Sequence, residues 1–169
     1  MTEPLTGAEP PYAAPLILRG GTVLGDWIDY NGHMNVAYYT LAFDRAIDQM
    51  LEEVLGVGES FVSAARQGPY ALQSRVHYLG ELLEGAAFDF TCRLVDCDAK
   101  RLHLFLELRD GDGAVAATCE QLLMNVDLVA RRSVPYPAWA QARMAALCQA
   151  HGALDRPDQL GQPLHIRRR

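Results

Sequence analysis

The stretch Asp29-Tyr-Asn-Gly-His-Met-Asn35 decides the fold prediction, because it stands directly before the longest helical pattern in the chain. A carboxylate, an imidazole and a carboxamide lie close together in it, and Gly32 allows a sharp backbone turn between them. The first amides of the following helix would point back at this loop. A carboxylate beside free backbone N–H groups suits attack on a carbonyl, since those groups stabilise the oxyanion that forms.

The residues from Asn35 onward predict a helix of about 20 residues, ~30 Å long. Apolar residues recur every three or four positions from Tyr39 to Val54, and charged residues such as Asp44 take the other side. Asn35 can cap the start of this helix, and Gly56 can end it. The wide apolar stripe predicts that one face is well buried.

Strand patterns flank this helix. Leu16 to Val23 fits a first strand, in which Gly20-Gly21 indicates a bulge or a close approach. A long buried helix needs a sheet around it, so we expect an α+β fold with a curved antiparallel sheet wrapped around a central helix. The later elements are predicted as strands at Tyr70–Leu79, Phe88–Leu94, Leu102–Leu108 and Ala114–Val126, turns at Asp96–Lys100 and Asp110–Gly113, and a helix at Pro137–Ala150.

The chain has 169 residues, half of them hydrophobic, which fits one domain with a sizeable core. Residues 1–15 contain several prolines and are interpreted as a flexible N-terminal arm. Residues 16–150 are predicted to form the folded domain. Residues 151–169 are polar and are predicted to be a peripheral C-terminal tail.

A net charge of −6 argues against nucleic-acid binding, which favours a basic face. No apolar run approaches the roughly 18–20 residues of a membrane span, and the first residues do not resemble a signal peptide. We therefore expect a cytoplasmic protein without a membrane partner. The cysteines lack metal-binding spacing, so we expect reduced thiols and no metal site at Cys92, Cys97, Cys119 and Cys148.

The pattern Asp29-x-x-Gly32-His33-x-Asn35-x-x-x-Tyr39 resembles the motif of hotdog-fold acyl-CoA thioesterases of the 4-hydroxybenzoyl-CoA thioesterase group. The long helix, the four later strands and the ending Arg131-Arg132-x-x-Pro135-x-Pro137 fit that fold, so the resemblance covers residues 16–140. The longer string from Asp26 to Tyr39 resembles the thioesterases of carnitine and betaine catabolism, which act on betainyl-CoA-type thioesters.

The resemblance implies a catalytic role for Asp29, which either activates a water or attacks the thioester carbonyl itself. It implies that the backbone N–H of Val36 is the oxyanion donor. Gly32 is interpreted as structural, because it permits a backbone that brings the carbonyl close to the helix end. The implied substrate is an acyl-CoA, and no cofactor is needed beyond water. In this family two chains pair edge to edge, which implies a homodimer or homotetramer with Asp29 near the Gln73–His77 strand of its partner.

Three motif residues have two interpretations each. His33 either hydrogen-bonds Asp29 or the substrate, or packs at the base of the loop. Asn35 is a helix cap or a catalytic group, and one residue can serve both roles. Tyr39 fits the core stripe first and the pocket lining second.

Two further sets of residues are candidates for substrate binding. Aromatic rings hold quaternary ammonium groups with about 0.5–2 kcal/mol each. Basic side chains can contact the phosphates of coenzyme A, although a solvated charged hairpin is the simpler interpretation. The candidate aromatic wall comprises Trp27, Tyr30, Tyr38 and Tyr70, which also fit a core, and the candidate phosphate contacts are Lys100, Arg101, Arg131 and Arg132.

Two other functions stay open. A hotdog hydratase or dehydratase would also use a carboxylate and a histidine near a helix start, but the His-x-x-x-Gly-x-x-Pro-Gly string of such dehydratases is missing. A non-catalytic acyl-CoA-binding domain has little use for a carboxylate at the position of Asp29. The acyl group is not defined by the sequence.

Overall fold

The computed structural model describes residues 7–166. The predicted strands and helices are present, with bounds that shift by a few residues, and a 3-10 turn at Gly25–Trp27 leads into the Asp29 loop. The elements are β1 (Leu16–Thr22), α1 (Val36–Gln49), α2 (Glu59–Ala65), β2 (Gln67–Tyr78), β3 (Ala87–Cys97), β4 (Arg101–Asp110), β5 (Val115–Asp127), β6 (Arg132–Ser133) and α3 (Ala138–His151).

The strands form one antiparallel sheet in the order β1-β3-β4-β5-β2, with β6 paired to β5. Its inner face packs on α1, where Tyr39, Phe43 and Ile47 are all buried. The rings of Phe43 and Phe90 lie 5.5 Å apart between the helix and β3. The predicted α+β architecture, a sheet curved around a helix, is confirmed.

The helical segment that starts with α1 and covers residues 36–55 begins and ends where the sequence predicts. The Asn35 side chain accepts the Ala37 N–H at 2.9 Å, and Gly56 ends the helix with φ +71°. The last part, Met50–Leu55, is π-helical rather than α-helical. The apolar pattern does not reveal this change, because the buried residues Met50, Leu51, Val54 and Leu55 keep a helix-like spacing in the sequence.

The bulge predicted at Gly20-Gly21 is confirmed. The register of β1 against β3 shifts between Leu18 and Gly21. A Cβ atom on Gly20 would lie 1.7 Å from the carbonyl oxygen of Phe88, so only glycine fits at this point.

The segment after α3 crosses the outer face of the sheet. Arg93 of β3 donates to the carbonyl oxygen of Asp155, and the Gly161 N–H donates to Glu120 Oε2 at 2.8 Å. Leu160 is buried between these two contacts. The helices within residues 7–166 are too short or too polar to span a bilayer.

His151 joins three parts of the chain. Its Nδ1 accepts the N–H of Leu94 on β3 at 2.9 Å, and its Nε2 lies 3.0 Å from the carbonyl oxygen of Ala13. An acceptor at Nδ1 and a donor at Nε2 define a neutral imidazole. Burial lowers the pKa of His151, because the charged form is poorly solvated there.

We expect acid to destabilise the protein through His151. Below about pH 6.5 the unfolded histidine takes up a proton that the folded one resists, so the free energy of unfolding falls with pH. Urea unfolding at about pH 7.5 and 5.5 should show that the free energy of unfolding falls more for the parent than for His151→Gln. At the higher pH the substitution should lower the free energy of unfolding by about 1–3 kcal/mol, because it leaves a buried hydrogen-bond partner unpaired. Equal falls for both proteins would contradict the prediction.

Candidate active site

The Asp29 loop is closed by hydrogen bonds of its own backbone. The Asp29 N–H donates to the carbonyl oxygen of His33, and the Gly32 N–H donates to that of Asp29, both at 3.0 Å. Gly32 has φ +84°, in the left-handed region that favours glycine. Asp29 Oδ1 accepts the Asn31 N–H at 2.7 Å, so the carboxylate is held by the loop that carries it.

The base of the loop is anchored in the body of the protein. The Asn35 N–H donates to the carbonyl oxygen of Trp27 and the Met34 N–H to that of Leu82, both at 2.8 Å. Met34 is fully buried, and Ile28 forms a β-bridge with it. The loop is therefore fixed at its base, while its tip at Tyr30 faces solvent with 96% of the side chain exposed.

The start of α1 lies at the end of this loop. Val36 is the first residue of the helix, so its N–H has no acceptor within the helix. Its side chain is exposed, which leaves this helix end accessible. A carboxylate and an open helix N-terminus are thus only seven positions apart in the chain, an arrangement suited to attack on a carbonyl.

His33 makes its ring contact with the loop backbone. Its Nδ1 lies 3.2 Å from the carbonyl oxygen of Met34, and the side chain is half-buried. Within residues 7–166, no hydrogen bond joins this imidazole to Asp29. The contacts of His33 favour the second interpretation, in which it packs at the base of the loop.

Two of the four candidate aromatic residues lie together. The rings of Trp27 and Tyr38 stack at 5.2 Å with an angle of 10° between their planes, directly beside the loop. Trp27 also packs on Phe88 at 6.4 Å. Tyr30 takes no part in this cluster, because it points into solvent from the loop tip.

Tyr39 lies on the buried face of α1. Its hydroxyl donates to the carbonyl oxygen of Gly80 at 3.3 Å, and its ring packs edge-on against Tyr78 at 5.3 Å. Burial raises the pKa of Tyr39. Tyr39 therefore ties the helix start to the end of β2.

Tyr70 lies at the opposite end of β2 from Tyr78. The two are eight residues apart, or about 26 Å at 3.3 Å per residue. The Tyr70 hydroxyl accepts from Arg131 Nη1 at 3.2 Å. Within one chain, Tyr70 is not part of the cluster formed by Trp27 and Tyr38.

The candidate basic residues gather at the end of the sheet where Tyr70 lies. Lys100 Nζ is 3.4 Å from Ser133 Oγ, which brings the β3–β4 turn beside the segment that carries Arg131 and Arg132. Arg101 is paired with Asp98 at 2.6 Å. This pairing lowers the pKa of the Asp98 carboxyl.

The contacts of Gly80 and Leu82 were not anticipated from the sequence. This short segment between β2 and β3 accepts hydrogen bonds from both Tyr39 and Met34. It carries no helical or strand periodicity, and the local signal is the apolar pair Leu82-Leu83 between Glu81 and Glu84. No group of three His, Cys, Asp or Glu residues suited to a metal ion occurs among residues 7–166.

Known proteins share this architecture. The model of the thioesterase-like superfamily matches residues 23–144. A betainyl-CoA thioesterase of Pseudomonas aeruginosa is 36% identical over 145 residues, which are 85% of this chain and 91% of that protein. The L-carnitine dehydrogenase/betainyl-CoA thioesterase of Rhizobium meliloti is 36% identical over 151 residues, or 89% of this chain, and the match spans only 30% of that longer protein.

Among solved structures, a hypothetical protein of Staphylococcus aureus in complex with CoA superposes with a TM-score of 0.82. It is 28% identical, and the match covers 94% of this chain and 100% of that one. The fold is thus the hotdog fold of known thioesterases. The chain belongs to the thioesterase-like superfamily, whose model covers the Asp29 loop, α1 and the whole sheet from β2 to β6.

We expect Asn35 to stabilise the site as a helix cap. Asn35→Ala should lower the free energy of unfolding by about 1 kcal/mol, because it removes the acceptor for the Ala37 N–H. Asn35→Asp keeps an acceptor and should unfold close to the parent, as measured by denaturant titration. An alanine variant as stable as the parent would show that the cap contributes nothing.

Proposed function

We propose that the protein is an acyl-CoA thioesterase that hydrolyses a short acyl-CoA of the betainyl type to the free acid and coenzyme A. The observation that carries the proposal is the Asp29 carboxylate, fixed by its own loop at the N-terminus of α1. The names of two relatives that are each 36% identical support the betainyl acyl group.

In the proposed reaction the thioester carbonyl oxygen accepts the Val36 N–H, which stabilises the negative charge that develops on it. Asp29 acts in one of two ways. As a general base it takes a proton from the attacking water; as a nucleophile it forms an anhydride that water then cleaves. In both cases the thiolate of coenzyme A leaves, and we propose that no metal or further cofactor takes part.

A betainyl group carries a quaternary ammonium, which needs aromatic faces or negative charge around it. Tyr38, half-buried and stacked on the buried Trp27, supplies aromatic surface beside the loop. A cation over such a ring gains about 0.5–2 kcal/mol. His33 and Asn35 would then act by holding the loop, and Tyr39 by fixing the helix start.

We infer that the protein is a homodimer paired along β2. This strand is the last in the sheet, so within residues 7–166 one edge of its 12 residues has no strand beside it. Such an edge invites pairing unless a partner covers it. A two-fold antiparallel pairing centred near Ser74 would place Tyr70 of one protomer opposite Tyr78 of its partner. This arrangement would return Tyr70 and Arg131 to the helix start, across the interface.

An open cavity of about 600 Å³ lies at the same end of β2 as Tyr70, lined by Pro69 and by residues of α1 and α2. Its lining includes the carboxylates of Asp48 and Glu59. Burial and the neighbouring carboxylates of Asp44 and Glu59 raise the pKa of Asp48, so a cation bound here would relieve that repulsion. In the proposed dimer this acidic cavity would face the partner's Asp29 loop.

The alternatives differ in what they need from Asp29. An acyl-CoA-binding domain has no use for a carboxylate beside a thioester, and a dehydratase would need a histidine that reaches the substrate with it.

We place the enzyme in the cytoplasm, because all four of its cysteines are free thiols, as is usual in a reducing compartment.

We expect Asp29→Asn to lower kcat/KM for betainyl-CoA by about 100-fold or more, because the base or nucleophile is lost. Release of coenzyme A, followed with a thiol-reactive dye, measures the rate. The panel includes short straight-chain and aromatic acyl-CoAs. Asp26→Asn, an exposed carboxylate in the preceding turn, is the matched control and should keep the parent rate.

The panel separates the parts of the proposal. Hydrolysis of other thioesters but not of betainyl-CoA would support the thioesterase activity and contradict the proposed site for a quaternary ammonium. A folded parent that hydrolyses no thioester would favour the binding-domain alternative. An Asp29→Asn variant as active as the parent would remove Asp29 from the mechanism.

We further expect two defective chains to restore activity when mixed. In a dimer of Asp29→Asn with the double variant Tyr70→Ala/Arg131→Ala, one site holds both defects and the other holds neither. After unfolding and joint refolding, random pairing should return about a quarter of the parent activity. If the activity of the mixture is no greater than the summed activities of the two variants, Tyr70 and Arg131 do not contribute to the partner's site.

A further inference from the structure

Two cysteines that play no part in the proposed reaction lie where α3 packs on the end of β3. Cys97 is the last residue of β3, and the neighbouring thiol of Cys148 on α3 adds to the burial that raises the pKa of Cys97. Cys148 Sγ also lies 3.9 Å from the carbonyl oxygen of Val95. Both side chains are half-buried and pack against the core, so small reagents can reach them.

A bulge in β3 turns Cys97 toward α3. Leu94 pairs with Leu104, but Cys97 pairs with Leu102, so β3 has one extra residue between these positions. Leu102 and Leu104 are both buried on the inner side of the sheet. Cys97 therefore shares a face with Leu94, whereas a regular strand would point it outward.

The opposite thiol is positioned by the packing of α3. Met144 and Leu147 of this helix are buried, and Cys148 lies beside them on the flank of the same face. The hydrogen bond from Leu94 N–H to His151 fixes the end of α3 against β3, close to the cysteine pair. Two packed elements, rather than a loop, thus hold the two thiols together.

The other two cysteines have no such geometry. Cys92 and Cys119 both pair with Leu106 of β4, one from each side. Two strand spacings, about 9.5 Å, separate their backbones, and a disulfide needs Cα atoms within about 7 Å. Both are also buried, which raises the pKa of Cys92 to about 12 and that of Cys119 to about 11.

We propose that Cys97 and Cys148 are an oxidisable pair that forms an intramolecular disulfide by exchange with a small disulfide. The thiolate of one cysteine attacks a sulfur of the reagent and releases one small thiol. The thiolate of the second cysteine then attacks the mixed disulfide and releases the other small thiol. Two protein thiols become one S–S bond, and the reagent is reduced to two thiols.

The reaction should be faster in mild alkali, because only thiolates attack. Burial raises the pKa of the Cys97 thiol to about 11, so little of it is ionised at neutral pH. The bond would close a loop of some 50 residues between β3 and α3, which restricts the unfolded chain. We expect the thermal midpoint to rise by about 5–10 °C in the oxidised protein.

The test treats the folded parent with oxidised glutathione at about pH 8.5, then alkylates free thiols and digests with trypsin. Each cysteine falls on its own tryptic peptide, with Cys92 in 76–93, Cys97 in 94–100, Cys119 in 110–131 and Cys148 in the peptide that begins at Met144. Mass spectrometry should find peptide 94–100 joined to the peptide from Met144, and the other two alkylated.

Cys97→Ser and Cys148→Ser are the matched controls. Each should give a glutathione adduct on the remaining cysteine of the pair and no rise in the thermal midpoint. The proposal is overturned if Cys97 and Cys148 of the parent are recovered unlinked, if either joins Cys92 or Cys119, or if the link joins two chains. Because the readout is a covalent bond, it does not depend on whether the protein hydrolyses any thioester.

Discussion

The burial of α1 inside the curved sheet is the constraint on which the rest of the structure depends. The helix presents Tyr39, Phe43 and Ile47 to the strands, and all three side chains are buried there. The sheet must therefore bend around it, which leaves β1 and β2 as its two edges. The start of the helix then emerges at one open end of the sheet, which is where the Asp29 loop is anchored.

Local signals predicted the fold well because the decisive residues act over short distances. Asn35 caps the helix through an amide two residues away, and Gly56 ends it by adopting a left-handed backbone. The Gly20-Gly21 bulge depends on one close approach to Phe88. The π-helical turn at Met50–Leu55 left no such signal, since its two polar residues, Glu52 and Glu53, are adjacent and have no spacing that could reveal the winding.

The site was less predictable, because its residues meet through contacts that are distant in sequence. Trp27 and Tyr38 were grouped with Tyr70 by residue type alone, yet strand geometry separates Tyr70 from them by most of the length of β2. The anchoring of Met34 on Leu82 joins segments almost fifty residues apart. Neither relation follows from a pattern within a short window, and in the proposed dimer the first would also involve a second chain.

The hydrogen bond from the Asn31 amide to Asp29 makes the two oxygens of this carboxylate unequal. One oxygen is engaged by the loop, and its lone pair there is not available to a reactant. The direction from which a water or a carbonyl carbon can meet Asp29 is thus set by main-chain geometry. Side chains at the loop tip, such as that of Tyr30, can vary without changing this approach, provided that the turn at Gly32 is kept.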